Sequence, residues 1–153
     1  YKTKKPNVVP LTPAALAVIN AQDKIDGGDM IFSTNGETAF SGFSKCKLRL
    51  DRDMLAKLQE AASERGEDPK KVKLPEWRLH DLRRTAKTLM MRAGVRPDVS
   101  ERVLGHVIKG VEGVYDQFGY DDEKRVALEA LAALLDRIIN PSAENVVQLR
   151  AAE

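Results

Sequence analysis

Cysteine is almost missing from this chain: Cys46 stands alone among 153 residues, which excludes an internal disulfide and a cysteine-rich zinc site. A reducing, cytoplasmic setting is therefore expected. Long apolar runs are missing too. None exceeds six residues, as at 130–135, against the roughly 20 needed to cross a bilayer. No apolar stretch of signal-peptide length follows the basic start Lys2-Thr3-Lys4-Lys5, so no membrane partner is expected. Histidine occurs only at positions 80 and 106, with no cysteine or carboxylate at ligand spacing, and no metal site is expected. There is also no glycine-rich phosphate loop ending in Lys-Ser/Thr. Charge of one sign is nearly balanced, 25 Lys and Arg against 23 Asp and Glu, and the net +2 is too small to imply nucleic acid by itself.

What is present is ordinary globular composition, 42% hydrophobic and 31% charged, in a length that suits one domain over 1–153. The chain starts at Tyr1 rather than Met and is expected to be a fragment. Charge is unevenly spread. Between positions 70 and 109 stand eleven Lys and Arg against four acids, a face suited to a polyanion or, more blandly, a solvated helical surface.

Two strands are expected near the N-terminus, one around Val8-Val9-Pro10-Leu11 and one at Met30-Ile31-Phe32-Ser33, the latter closed by the turn signal Asn35-Gly36. Between them Thr12 and Pro13 suit the cap and first position of a helix whose apolar face is Ala15, Leu16, Val18 and Ile19. Leu48, Leu50, Leu55, Leu58 and Ala62 predict a helix from Ser41 to about Arg65, kinked near Asp51 and ended by Gly66. A charged, proline-bearing loop is expected over 67–75. Leu79, Leu82, Ala86, Leu89, Met90 and Ala93 predict the next helix, ended by Gly94, and a shorter one follows from Pro97 to Leu104, ended by Gly105. The last helix opens on Asp121-Asp122-Glu123, carries a predicted buried stripe of Leu128, Leu131, Leu135, Ile138 and Ile139, and stops at Pro141. Beyond it, 142–153 is either a frayed tail or a segment that docks in trans through Val146, Val147 and Leu149.

His80 and Arg83 share a helix face that is not the Leu/Ala stripe, and Arg84 and Lys87 extend that polar side. Phosphate is the natural partner of such a set, because guanidinium donates two parallel hydrogen bonds to a phosphoryl oxygen pair. Gly105 places His106 on an outward-facing loop, and nine residues later stands Tyr115, whose hydroxyl can attack phosphorus if cations stabilise its phenolate. Singly these are weak signals: a lone exposed histidine is usually inert, and a tyrosine after Val111 to Val114 is usually core. Their order is more specific.

In that order, Leu79-His80-Asp81-Leu82-Arg83-Arg84-Thr85, then Leu104-Gly105-His106, then Val114-Tyr115 with Gly119-Tyr120 and the following helix, the chain resembles the tyrosine recombinases, and among them the phage-type integrases. Lys2, eight residues before Pro10 of Val9-Pro10-Leu11, matches the family's β-hairpin lysine. The resemblance implies a mostly α, α+β catalytic domain with a small N-terminal antiparallel sheet. It also implies DNA integration by site-specific recombination: Tyr115 attacks a phosphate to give a 3′-phosphotyrosine, and the released 5′-hydroxyl attacks the partner strand. Arg83 would stabilise the phosphoryl transition state, His80 and His106 would donate hydrogen bonds or move protons, and Lys2 would protonate the leaving oxygen. Lys4, Arg84 and Lys87 would bind DNA. The implied partners are double-stranded attachment sites and, for the parent protein, three further copies in a tetramer on DNA, with no cofactor or metal. The family's other catalytic arginine, upstream of the lysine hairpin, is not in the chain, which implies little activity from this stretch alone. Tyr120 is a second candidate nucleophile; the bland reading makes it a packing residue.

Two other classes remain open. The helices around Gly94-Val95 have helix-turn-helix spacing and would suit a DNA reader without catalysis. A structural helical domain explains the apolar stripes but leaves His80, Arg83 and His106 as coincidence.

Overall fold

The computed structural model describes residues 7–106 and 118–141. They form five α-helices and one 3-10 turn: α1 (Pro13–Asn20), α2 (Phe43–Glu64), the turn Pro69–Lys71, α3 (Leu79–Arg92), α4 (Pro97–Val103) and α5 (Asp121–Ile139). No helix among the described residues is long and apolar enough to cross a membrane.

The chain divides into two compact units, Val18–Leu82 in one and Tyr1–Ala17 with Arg83–Glu153 in the other, the boundaries falling inside α1 and α3. The second of these holds the packed core. Met90 near the end of α3, Val99, Val103 and Leu104 of α4, and Ala127 of α5 are buried together, with Val95, Leu128 and Leu131 packed against them. Lys124 of α5 is also buried, at 5% exposure, where its ammonium donates to the Val8 carbonyl at 2.9 Å and pairs with Asp121 at 2.8 Å. A buried ammonium is tolerated only with such partners.

In the Val18–Leu82 unit burial is sparse and polar bonds do more of the holding. Asp51 of α2 accepts from the Trp77 indole at 2.8 Å and from Lys47 at 2.6 Å, and the Lys47 ammonium lies 4.4 Å from the centre of the Trp77 ring. On the uninterrupted α2, Ala62 is the buried residue, while Leu48, Leu50 and Leu58 are exposed. The loop expected over 67–75 contains the 3-10 turn, capped by the Asp68 carboxylate accepting from the Lys70 amide at 3.0 Å.

Side-chain caps mark the starts of α1 and α3. Thr12 Oγ1 accepts from the Ala15 amide at 3.2 Å ahead of Pro13. Asp81 Oδ2 accepts from the Arg78 amide at 2.8 Å, the half of a capping box in which an acidic third residue reaches back. Three helices end alike. At α3 the Gly94 amide donates to Met91 and the Val95 amide to Met90, at 3.1 and 3.0 Å, with Gly94 at φ +82°. This is a Schellman motif, in which glycine accepts the left-handed conformation that closes the helix. The pattern recurs at Gly66 after α2 and at Gly105 after α4.

Two expectations are corrected. The N-terminal antiparallel sheet is not there: among the described residues no strand forms, and the α+β class gives way to a helical one. Val8, Val9 and Leu11 are exposed, prolines 10 and 13 lack the donors a ladder needs, and the Val8 carbonyl is taken by the Lys124 side chain. Around 30–33 the one backbone bond is Phe40 to Phe32 at 3.0 Å. The turn after it is organised by side chains, with Ser33 Oγ accepting from Gly36 at 2.9 Å and Asn35 Oδ1 accepting from Glu37 and Thr38 at 3.1 and 3.0 Å. Such local bonds compete directly with a ladder. The second correction concerns α5. Leu128 and Leu131 pack as expected, but Leu134 is buried while Leu135, Ile138 and Ile139 are exposed, Ile139 at 71%.

Candidate active site

Arg83 and Lys87 stand one helical turn apart on α3 and reach the C-terminal end of α4. The Arg83 guanidinium donates through Nη2 to the Leu104 carbonyl. That carbonyl lies at the negative end of α4, where a cation is favoured. Lys87 Nζ donates to one carboxylate oxygen of Glu101, and the other oxygen meets Nδ1 of His106. Residues from opposite sides of the Gly94 turn thus gather at Leu104-Gly105-His106.

The backbone explains His106's place. In the turn after α4, the Gly105 amide donates to Arg102 at 3.0 Å and the His106 amide to Glu101 at 2.9 Å, with Gly105 at φ +64°. His106 is therefore the second residue beyond the cap, and Glu101 is the residue that faces it across the motif. Those two positions commonly hold a hydrophobic pair; here they hold imidazole and carboxylate.

The site is half open: 46% of the His106 side chain is exposed, against 28% for Glu101. Hydrogen bonding from Lys87, then from His106, holds the Glu101 carboxyl below the usual glutamate range despite a desolvation effect in the opposite direction. Counting Arg83 and Lys87 against Glu101, the cluster keeps one excess positive charge, and a second when His106 is protonated. Such a cluster can hold an anion and move a proton.

The other predicted residues are distributed as follows. His80 is exposed on the first turn of α3, three residues ahead of Arg83, and Arg84 is exposed on the same helix. Lys87 is spent at least in part on Glu101 rather than left as a plain DNA contact. Tyr115, Lys2 and Lys4 lie outside the described residues, as does the 142–153 tail. Tyr120 caps α5 at φ 54°, with the Arg102 guanidinium 3.9 Å from its ring centre and Phe118 edge-on at 5.0 Å. Those contacts are those of a packing residue.

Glu101 is the site residue that the sequence reading missed. A signal for it existed: once Gly105 is taken as the helix-ending glycine, residues 101 and 106 must face one another. No group of three or more His, Cys, Asp and Glu side chains able to hold a metal gathers among the described residues. An apolar groove of about 400 Å³ between the Gly94 turn and α5, lined by Val95, Val99, Val126 and Ala127 among others, contains none of the candidate catalytic side chains.

Comparison of the chain with protein-family models, curated proteins and solved structures found no match.

Proposed function

We propose that this protein is a tyrosine-type site-specific DNA recombinase that cuts and rejoins duplex attachment sites through Tyr115. The observation that supports this reading is the meeting of Arg83 with the Leu104-Gly105-His106 turn, two sequence motifs 21 residues apart. The proposal gives each group one task. The Tyr115 hydroxyl oxygen bonds to the scissile phosphorus as the bond to the 5′-oxygen breaks, leaving a 3′-phosphotyrosine. Lys2 gives a proton to the departing 5′-oxygen. Arg83 balances the charge that builds on the non-bridging oxygens, the kind of electrostatic stabilisation that dominates phosphoryl transfer. His80 and His106 donate hydrogen bonds or carry protons at that phosphate, including the one that the Tyr115 hydroxyl gives up on attack and regains when the 5′-hydroxyl displaces it. A 5′-hydroxyl from the partner duplex then attacks the phosphotyrosine and restores the tyrosine, so no external energy source is consumed. Four copies on DNA, working in the cytoplasm on the chromosome, complete the reading.

A non-catalytic helix-turn-helix reader is less well supported. Its recognition helix would be α4, yet Val99, Ser100 and Val103 face the interior. Two nitrogens of Arg96 are bound to Asp98 at 3.1 and 2.8 Å, so the cation at the start of that helix is already paired.

The test uses the full-length parent protein on duplex DNA nicked beside the cleavage position. A covalent protein–DNA adduct is expected, lost in Tyr115→Phe with DNA binding retained and unaffected in Tyr120→Phe. An adduct that survives Tyr115→Phe moves the nucleophile elsewhere. Binding should weaken steeply as salt rises, because neutralised phosphates release counterions; an affinity indifferent to salt argues for a structural domain instead.

A further inference from the structure

We propose that Glu101 is a positioning residue that fixes the tautomer of His106, so that the imidazole works through Nε2. The chemistry assigned to Nε2 rests on the recombinase reading; the pairing itself does not.

Donors and acceptors decide which nitrogen carries the proton. An ionised carboxylate can only accept hydrogen bonds, and an ammonium can only donate them. Glu101 lies between Lys87 Nζ on one oxygen and His106 Nδ1 on the other. The lysine bond favours the ionised carboxylate, and an ionised carboxylate can be satisfied at Nδ1 only by an N–H. The proton of neutral His106 therefore sits on Nδ1, and the lone pair is left on Nε2. When the ring is charged, Nε2 carries the second N–H. The same atom thus accepts a proton in one state and gives it in the other, as a general base or acid must.

Backbone geometry makes this pairing more than a surface ion pair. The His106 amide already donates to the Glu101 carbonyl at 2.9 Å, so main chain and side chain tie the same two residues together. Lys87 has a second effect. A bare carboxylate beside a phosphate site would repel the substrate, and the ammonium cancels that charge. Arg83, bound to the intervening Leu104 carbonyl, remains the cation of the cluster that is not spent on Glu101.

The two histidines of the chain make the test simple. In the 153-residue chain carrying His80→Asn, His106 is the sole imidazole. A long-range ¹H–¹⁵N spectrum, recorded at about pH 9 to keep ordinary imidazoles neutral, is expected to show protonated Nδ1 and unprotonated Nε2. A proton on Nε2 overturns the proposal without any further variant being needed. Glu101→Ala, checked for folding by circular dichroism, should move the proton to Nε2, the tautomer that free histidine prefers; retention on Nδ1 in that variant also overturns it. Glu101→Gln, which keeps an acceptor oxygen, should hold Nδ1–H. In single-turnover cleavage of nicked DNA by the full-length parent, Glu101→Ala should lose roughly tenfold to a hundredfold in rate, with Kd for DNA little changed. A fall in binding with an unchanged cleavage rate would mean that the carboxylate only shapes the surface, and would overturn the positioning role. If the wild-type spectrum shows Nδ1–H but the full-length parent makes no adduct, the recombinase reading fails and the pairing stands.

Discussion

The ends of α3 and α4 are the same turn put to opposite uses. Each closes through a left-handed glycine, Gly94 at φ +82° and Gly105 at +64°, with matching amide bonds back into the helix. Across the first turn face Met90, in the core, and Val95, packed against it. Across the second face Glu101 and His106, and both meet solvent and charge. The backbone motif is indifferent to that choice, because glycine supplies the conformation and the amide bonds are the same. Only the pair of side chains decides whether a helix end becomes part of the core or a piece of chemistry. Eleven residues separate an anchor from a candidate active site.

The comparison can be broken most easily at the core. Met90 is fully buried, so Met90→Ala should cost about 2–5 kcal/mol in urea unfolding, the range for losing a large buried side chain and leaving a cavity. Glu101→Ala, at the equivalent position of the second turn, should cost under about 1 kcal/mol, since partly exposed ion pairs contribute little net stability. Equal costs would mean that the second turn carries structure after all.

A smaller effect separates backbone from side chain. Replacing either glycine by alanine should destabilise by about 1–2 kcal/mol, the cost of a left-handed L-residue. A Cβ at Gly94 would meet no atom within 4 Å, so the penalty there comes from conformation alone. Gly94→Asn should recover part of it, because asparagine visits that region more readily. If Gly94→Ala is neutral by thermal unfolding, the turn is not what closes α3. Gly105→Ala should be similar in stability yet impair cleavage as well, since it alters the turn that presents His106.

These turns also mark what could be read in advance. Gly66, Gly94 and Gly105 announce helix ends because few other residues accept positive φ, and Thr12-Pro13 and Asp121-Asp122-Glu123 announce helix starts for equally local reasons. What failed was non-local. A β-branched stretch such as Val8-Val9 becomes a strand only if a partner strand exists, and here its carbonyl partner is a lysine 116 residues away. Lys124 itself sits in an Asp-Asp-Glu-Lys-Arg run that reads as a solvated surface, and nothing local signals its burial. On α5, a leucine at both 134 and 135 satisfies helical spacing from Leu131 equally well, so spacing alone does not pick out Leu134 as the buried one. At the site, Arg83 and His106 stood out by their chemistry. Glu101 did not, because a lone glutamate in a short helix looks ordinary until the turn that faces it toward residue 106 is recognised.

Acid should distinguish the two helix ends by the smallest of these effects. Glu101 is held below the usual glutamate value of 4.5, chiefly by Lys87 and then by His106. A carboxyl whose folded value is lowered contributes stability that is present above its unfolded value and is lost as pH falls through the folded one. The Glu101 pairing should therefore persist through pH 4.5 and fail below it, shifting the Gly105 and His106 amide signals in a ¹⁵N titration. Met90 and Val95 cannot ionise, so any movement of the Gly94 and Val95 amides over that range comes from other carboxylates and should survive Glu101→Gln. The Gly105 and His106 shifts should vanish in that variant. The associated stability change should stay under about 1 kcal/mol because the partners are partly exposed. If both turns respond alike, with or without Glu101, then the carboxylate does not hold the second turn, and the two helix ends differ in composition but not in function.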